Sequence, residues 1–357
     1  MLTAYINRIA TGVPPHDIHR AFLRYAFTLL ENDKRSAMLL QRMAERSGIE
    51  HRYSFLGPAP DGHRGPAFDI ESFYVRGQFP DTAARMRLFE ARAPELAAKT
   101  VEKLELGLDR NRVSHLLITC CTGFSAPGLD IEVIERCNLP RSIERTIIGF
   151  MGCYAAINAL KSAHHIVRSE PEARVLVLNL ELCSLHFQET TELEQVLSFL
   201  VFSDGCAASL VSAEATGLGI DSFLALSIPD SSQLITWRIG ELGFDMHLSG
   251  QVPGQIGKAL RQLDSQVTSG KDPLAIDLWA VHPGGRSILD AVEKGLGLPA
   301  DALASSRSVL AKYGNMSSAT VMFVLREILE RAESGQNGCA MSFGPGLTAE
   351  TMLFHAA

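Results

Sequence analysis

The chain has 357 residues, 46% of them hydrophobic and 20% charged, with a mean hydropathy of +0.09. That composition specifies a well-filled core, argues against disorder, and at this length suggests two lobes of ordinary domain size. A formal net charge of −7 and a pI near 5.9 exclude a general nucleic-acid binder, so any anionic ligand must meet a local basic patch. No stretch approaches the roughly 18 uninterrupted apolar residues that a membrane span requires. The opening MLTAYINRIATGVPP lacks the basic-then-apolar layout of a secretion signal and reads as a first strand. The seven cysteines are odd in number and show no paired CxxC spacing. That disfavours a metal cluster or a disulfide framework and fits a reducing cytoplasm.

Residues 18–47 carry apolar positions at helical spacing and predict a helical N-terminal layer. Residues 73–107 read as helical too, with Pro94 at a helix start. Beyond them, short apolar runs alternate with amphipathic stretches, the pattern of an α/β protein. The run VSHLLITC (113–120) ends in a glycine-containing loop, CTGFSAPG, before a helical segment; AIDLWAVH (275–282) ends in PGG before RSILDAVEKGL. Cys120 to Cys153 and His282 to Asn315 are both separations of 33 residues. Cys153 opens the helix CYAAINALKSAHHIV as Asn315 opens NMSSATVMFVLREIL, and each helix leads to another apolar strand, ARVLVLNL or GCAMSFG. The likeness is one of layout, not of residue identity, and it suggests a duplication. It predicts that Cys153, His282 and Asn315 lie at strand ends or helix starts facing a shared centre, where open α/β sheets bind ligands.

Each of the three has a chemistry that suits such a centre. A cysteine in the first turn of a helix feels the positive end of the helix dipole, which favours thiolate; the alternative is a buried structural thiol. His282, in VHPGG directly after a strand, is flanked by residues that strip bulk from the backbone. Its imidazole can stabilise a thiolate or donate to an oxyanion, although a histidine there can equally be a hydrogen-bonded turn residue. Asn315 follows Gly314 and can be a simple helix cap. Its carboxamide is also a donor that cannot lose its proton, which suits an enolate or a tetrahedral oxygen.

The motifs GFMGCYAAINAL, VHPGGRSILDAVE, YGNMSSAT and SFGPGLTAET occur in this order over nearly the whole chain. Together they resemble the type III polyketide synthases, the chalcone and stilbene synthase-like family, in its bacterial form. The resemblance implies a thiolase-like α/β fold of five layers, αβαβα, from two pseudo-duplicated halves. The halves are 1–215, carrying the nucleophilic cysteine, and 216–357, carrying the histidine and asparagine. It further implies a homodimer that uses acyl-CoA and malonyl-CoA directly, with no metal or redox cofactor. Cys153 becomes the acylated nucleophile, with His282 and Asn315 stabilising the thioester oxyanion and the enolate. Phe202 matches a gating phenylalanine, and Gly344, Pro345 and Gly346 match a loop that shapes the cyclisation cavity. Arg42 and Arg46, four apart on one helix face, match positions that meet coenzyme A phosphates, while a further basic family position is Leu39 here.

The implied reaction is acylation of Cys153, decarboxylation of malonyl-CoA to an enolate, and attack of that enolate on the acyl-Cys153 carbonyl, repeated until the chain cyclises. This sequence departs from the plant chalcone pattern at the cavity. Trp237 replaces a typical Gly, His186 a typical Thr, and Met246 a second gating Phe; Cys121 and Cys183 replace threonines, while Ser317 is retained. The larger Trp and His are expected to close part of the chamber, and the Cys and Met walls to open a channel for an aliphatic tail. The expected product is an alkylpyrone or alkylresorcinol. The rival reading is an initiating 3-oxoacyl-ACP synthase-like enzyme, which shares the Cys-His-Asn trio but usually carries HQAN-like and GNTSAA-like motifs.

Overall fold

The computed structural model describes residues 2–59 and 69–357. In the first half, β1 (Tyr5–Gly12) and the short β2 (His16–Asp17) lead to α1 (His19–Leu29) and α2 (Lys34–Arg46), then the short β3 (Tyr53–Ser54) and the long α3 (Thr82–Glu102). An alternating run follows: β4 (His115–Cys120), α4 (Leu129–Arg136), β5 (Glu144–Gly149), α5 (Ala155–Ser169), β6 (Val175–Leu182), α6 (Leu193–Val201) and β7 (Asp204–Ser212). The second half opens with β8 (Leu218–Ser227), the hairpin β9 (Ile235–Gly240) and β10 (Gly243–Leu248), and α7 (Val252–Val267). It continues with β11 (Leu278–Val281), α8 (Arg286–Leu296), α9 (Ala304–Tyr313), α10 (Thr320–Leu329), β12 (Asn337–Gly344) and β13 (Thr348–Ala356).

Pairing repeats between the halves. In the first, β4 runs parallel to β6, β6 antiparallel to β7, and β7 antiparallel to β1. In the second, β11 is parallel to β12, β12 antiparallel to β13, and β13 antiparallel to β8. The two sheets meet where β1 pairs β8 at Tyr5–Gly219 and Ile6–Leu218, giving one nine-stranded order from β11 to β5. At the far edge β5 pairs with β4.

Alternation along the strands sorts side chains into layers. From β6, Leu176, Leu178 and Leu180 pack outward on Phe89 and Leu96 of α3 and Val133 of α4. Val175 and Val177 face the other way, onto Ala156, Ala159 and Ala163 of α5. The same central core takes Met322 and Leu325 of α10, with Ala340 and Met352 of the second sheet. Beyond that sheet, Trp279, Val281 and Met341 pack on Ile256 of α7 and Leu289 of α8. The fold is therefore α3/α4, sheet, α5/α10, sheet, α7/α8: the five-layered thiolase-like arrangement. Helices α1, α2 and α6 form an added cap around Phe22, Leu40 and Phe199. Among the described residues no helix is long and apolar enough to cross a membrane.

Two local details differ from the sequence reading or refine it. The helical layer over 18–47 is broken after Leu29, and Asp33 starts α2 by accepting hydrogen bonds from the amides of Arg35 and Ser36. Pro94 does not open a helix: Asp81 caps α3 through the amide of Ala84, and Pro94 lies well inside it, buried. The carbonyl that a proline leaves unpaired belongs to Glu90, an exposed residue where water can take it.

Candidate active site

Cys153 lies in a single 3-10 turn, Gly152–Tyr154, that runs straight into α5. The turn is held from two sides. The Gly152 amide donates to Cys121 Sγ at 3.0 Å, and the loop after β12 presses on it so closely that a Cβ on Gly152 would lie 2.2 Å from Pro345 Cδ. Gly344 is equally constrained, because a Cβ there would meet the Tyr154 ring at 2.7 Å. The glycines of GFMGC and SFGPG thus let the two halves touch directly behind the sulfur.

The second half supplies the polar groups. Asn315 precedes a 3-10 turn, Ser317–Ala319, that runs into α10, the counterpart of the Cys153 turn. Its amide donates to Val201 O at 2.8 Å and its carbonyl accepts from Ser203 N at 2.9 Å, pinning it to Phe202 between α6 and β7. Its Oδ1 accepts from Ser317 N at 2.8 Å and its Nδ2 donates to Gly284 O at 3.3 Å. That fixes which end of the carboxamide is the donor. Cys153 Sγ lies 3.7 Å from Ser317 Oγ and also interacts with the Asn315 side chain. His282 follows β11, its amide donating to Met341 O at 2.8 Å. The imidazole lies against Gly284, the residue that accepts from Asn315, and neither ring nitrogen has a partner among the described residues.

Burial governs the charge states. Desolvation pushes the Cys153 thiol up to about 12, against smaller lowering contributions from Ser317 and Asn315. The same cause pulls His282 down to about 3. Taken singly, thiol and imidazole both favour the neutral form, because burial works against the pull of the helix start on the thiol.

A small, largely apolar chamber borders the sulfur. Cys153, Cys121, Cys183, Phe202, Trp237, Met246, Ser317 and Pro345 line it, together with Thr122, Gly152, Phe199 and Ile235. Trp237 on β9 and Met246 on β10 are direct cross-strand partners, so one hairpin delivers both. The Trp237 indole N–H donates to Cys121 O at 2.8 Å. His186, expected on the wall, is fully buried behind it. Its Nε2 meets Thr122 O at 2.7 Å, its Nδ1 accepts from Phe244 N at 3.0 Å, and its ring stacks on Phe244 at 4.1 Å and meets Trp237 edge-on. It supports the tryptophan from the rear. Gly344 and Gly346 do not line the chamber; their backbone carries Pro345 into it. Arg42 and Arg46 lie apart from it, exposed on α2, with Arg46 bordering a separate surface groove.

Two buried groups escaped the sequence reading. Glu181, on the face of β6 that looks toward α5, accepts from Cys121 N, Thr122 Oγ1 and Ser318 Oγ at 2.9, 2.9 and 2.6 Å. Desolvation raises its carboxyl to about 7. Arg52 donates through Nη1 to Phe199 O at 2.7 Å and Phe202 O at 2.9 Å, fixing the end of α6. The available signal for Glu181 was the polar pair Asn179 and Glu181, two apart in an otherwise apolar strand.

Two family models cover the chain: chalcone and stilbene synthases, N-terminal domain, at residues 3–215, and the corresponding C-terminal domain at 221–357. The chain belongs to the chalcone and stilbene synthase family. It is a type III polyketide synthase, a transferase that forms carbon–carbon bonds, and the initiating ketoacyl synthase reading falls away. It is similar to the "alpha-pyrone synthesis polyketide synthase-like Pks18" of Mycobacterium tuberculosis, 32% identical over 98% of this chain and 91% of that one. It is also 32% identical to bisdemethoxycurcumin synthase of Oryza sativa subsp. japonica, over 99% of this chain and 92% of that one. Among solved structures, PKS-I of the brown alga Ectocarpus siliculosus superposes with a TM-score of 0.88 at 30% identity, covering 99% and 98% of the two chains. The C-terminal type III polyketide synthase domain of Steely1 from Dictyostelium gives 0.89 at 23% identity, covering 99% of each chain, a likeness of fold.

The buried imidazole behind Trp237 gives this synthase a specific acid sensitivity. Desolvation holds His186 down to about 3 against 6.5 for an unhindered imidazole. Between those values the unfolded chain binds a proton that the folded one refuses, so stability falls as pH drops through that window. The Tm of the wild type is expected to fall further between pH 7 and pH 5 than that of His186→Gln, and identical slopes would refute the assignment.

Proposed function

We propose that the synthase condenses malonyl-CoA onto an acyl-CoA starter, with Cys153 as the acylated nucleophile and His282 and Asn315 as its polar partners. The observation that carries this reading is the meeting of Cys153 from one half with Asn315 and Ser317 from the other at a single chamber. Neither Cys153 nor His282 ionises well alone, but moving the thiol proton onto the imidazole creates both charges together at no change in net charge. Their attraction and the start of α5 then offset the desolvation, and the resulting pKa belongs to the pair. The thiolate attacks the starter thioester carbonyl, the C–S bond to coenzyme A breaks, and the acyl group rests on Sγ. Malonyl-CoA loses carbon dioxide, and the electron pair of the broken C–C bond becomes an enolate held by N–H donors of His282 and Asn315. The enolate attacks the acyl carbon and expels the Cys153 thiolate, extending the chain by two carbons. None of these steps calls on a metal or redox cofactor.

The product reading follows from the walls. Trp237 fills one side of the chamber, whereas Cys183, Phe199 and Phe202 also border an adjoining apolar cavity walled by Phe22, Leu56 and Phe187. A slim aliphatic tail suits that annex better than a rigid phenylpropanoid. We assign an aliphatic acyl-CoA starter and an alkylpyrone or alkylresorcinol product, in keeping with the alpha-pyrone synthesis named for the mycobacterial relative.

Strand β5 leaves an open edge, with Phe124, Ile147 and Met151 exposed beside it, and a second copy of the chain is the natural cover for such an edge. The synthase is thus assigned as a homodimer. Its seven free cysteines fit the reducing cytoplasm.

Three experiments test these assignments. At pH 7, iodoacetamide alkylation of Cys153 is expected to slow at least about tenfold in His282→Ala, one pKa unit or more, and to recover at alkaline pH; matching wild-type and variant profiles would sink the paired-ionisation account. A panel of acyl-CoAs with malonyl-CoA, read by mass spectrometry, is expected to give pyrones or resorcinols from aliphatic starters and nothing from Cys153→Ser. Preference for coumaroyl-CoA over every aliphatic starter would defeat the product assignment. In sedimentation the wild type is expected to run as a dimer and Ile147→Asp to shift toward monomer; a monomeric wild type would refute the covered edge.

A further inference from the structure

Arg52 takes a guanidinium into the dry interior of the cap, where the residue is only 1% exposed. Desolvation lowers it to about 9, which still leaves it charged at neutral pH. Among the described residues its head group bonds neutral acceptors alone. Nη1 donates to Phe199 O at 2.7 Å and Phe202 O at 2.9 Å, and Nε to His19 Nδ1 at 3.0 Å. Burial and the guanidinium itself pull His19 down to about 4, so its ring stays neutral and can accept. Taking such a cation out of water is costly, and filling space does not require one.

The carbonyls it holds lead to the reacting groups. Phe199 and Phe202 lie at the end of α6, whose last carbonyls have no partner within the helix. The residues beside Phe202 bind Asn315: Val201 O accepts its amide at 2.8 Å, and its carbonyl accepts from Ser203 N at 2.9 Å. Ser203 is held in turn by the neighbour of Arg52, since Tyr53 N donates to Ser203 Oγ at 2.7 Å. The Arg52 stem also packs against Gly314, where a Cβ would lie 2.9 Å from Arg52 Cγ. Gly314 has a φ of +67°, suits glycine for that reason as well, and immediately precedes Asn315. Arg52 is itself anchored beside the β2–β3 pair, because Ile18 N donates to its carbonyl at 2.8 Å.

The rotation and the position of the Asn315 carboxamide are thus set separately. Ser317 N and Gly284 O fix which way it turns. Where its backbone stands depends on the end of α6, which belongs to the cap and not to the five layers. We propose that Arg52 is a positioning residue for Asn315: it pins the end of α6 and so sets the reach of the carboxamide toward the enolate oxygen. This rests on the reading of Asn315 as a donor to the enolate. Acylation of Cys153 draws on the sulfur and His282, whereas decarboxylation of malonyl-CoA draws on the donors, so loss of Arg52 falls on the second step.

The test uses the full chain carrying Arg52→Gln, Arg52→Lys or Asn315→Ala. Two rates are read: single-turnover acylation of Cys153 by an acyl-CoA, from the intact mass, and release of carbon dioxide from malonyl-CoA. Dividing the second by the amount of acylatable Cys153 removes any loss of folded protein. In Arg52→Gln carbon dioxide release is expected to fall on the order of a hundredfold, with KM for malonyl-CoA little changed, while acylation keeps its rate. Arg52→Lys keeps a charged donor at the end of α6 and recovers part of the loss; it carries the test where the Gln variant does not accumulate. An equal fall in both rates overturns the inference, as does unchanged carbon dioxide release. Wild-type release in Asn315→Ala overturns the enolate reading beneath it. Loss of release in Asn315→Ala with none in either Arg52 variant overturns the role of Arg52 alone.

Discussion

The packing of α5 beside α10 between the two sheets is the constraint on which the site depends. Small side chains at Ala156, Ala159 and Ala163 put α5 in one dry core with Met322 and Leu325 of α10. α5 follows β5 and α10 follows α9, and the 3-10 turns that open these two helices bring Cys153 and Ser317 into contact. Polar links lock this relation where the apolar core ends. Ser318 Oγ lies 3.0 Å from Thr119 Oγ1 and donates to Glu181 at 2.6 Å, tying the start of α10 to the first sheet. A shift of either helix would break these buried bonds along with the packing, and leaving such partners unsatisfied is costly.

The dryness that makes this packing stable also sets the chemistry. Desolvation is the first cause of the altered charge states of Cys153, His282, Glu181 and His186 alike. It penalises any isolated charge and leaves a coupled proton transfer as the economical way to make a nucleophile. Donors that stay neutral at every pH then become valuable. Asn315 is one, and its orientation is over-determined by bonds to Ser317 and Gly284. Preorganised dipoles of that kind stabilise a developing oxyanion without themselves needing solvation.

Much of this was legible in the sequence because the duplication shows in spacing. Equal intervals from Cys120 to Cys153 and from His282 to Asn315 correspond to equivalent strand-to-helix units in the two sheets, and the pairing of β4, β6, β7 and β1 is repeated by β11, β12, β13 and β8. What spacing does not encode is the direction of a side chain off a short turn. His186 occupies a 3-10 turn with no periodic face, and its two ring nitrogens are consumed by Thr122 and Phe244, so it turned away from the chamber. Glu181 was hidden for another reason. Every residue of β6 is buried, so alternation between polar and apolar no longer marks which face is inside. Pro94 misled because proline marks helix starts only statistically, and a buried, well-packed helix can carry one in its interior.

The chamber combines walls of two kinds, and the difference bears on how such an enzyme diversifies. Cys153, Cys121, Ser317 and Pro345 stand at the ends of the central elements, where any displacement is transmitted to the sulfur. Trp237 and Met246 come instead from β9 and β10, a two-stranded sheet separate from the nine-stranded one. Its attachment to the site runs through the Trp237 indole to Cys121 O and through Phe244 to His186. Side chains on that hairpin can change size while the helix starts stay where they are. On the proposed reading, substrate choice falls to an element whose variation costs the reacting groups little of their alignment, and reactivity to elements that cannot vary without losing the core.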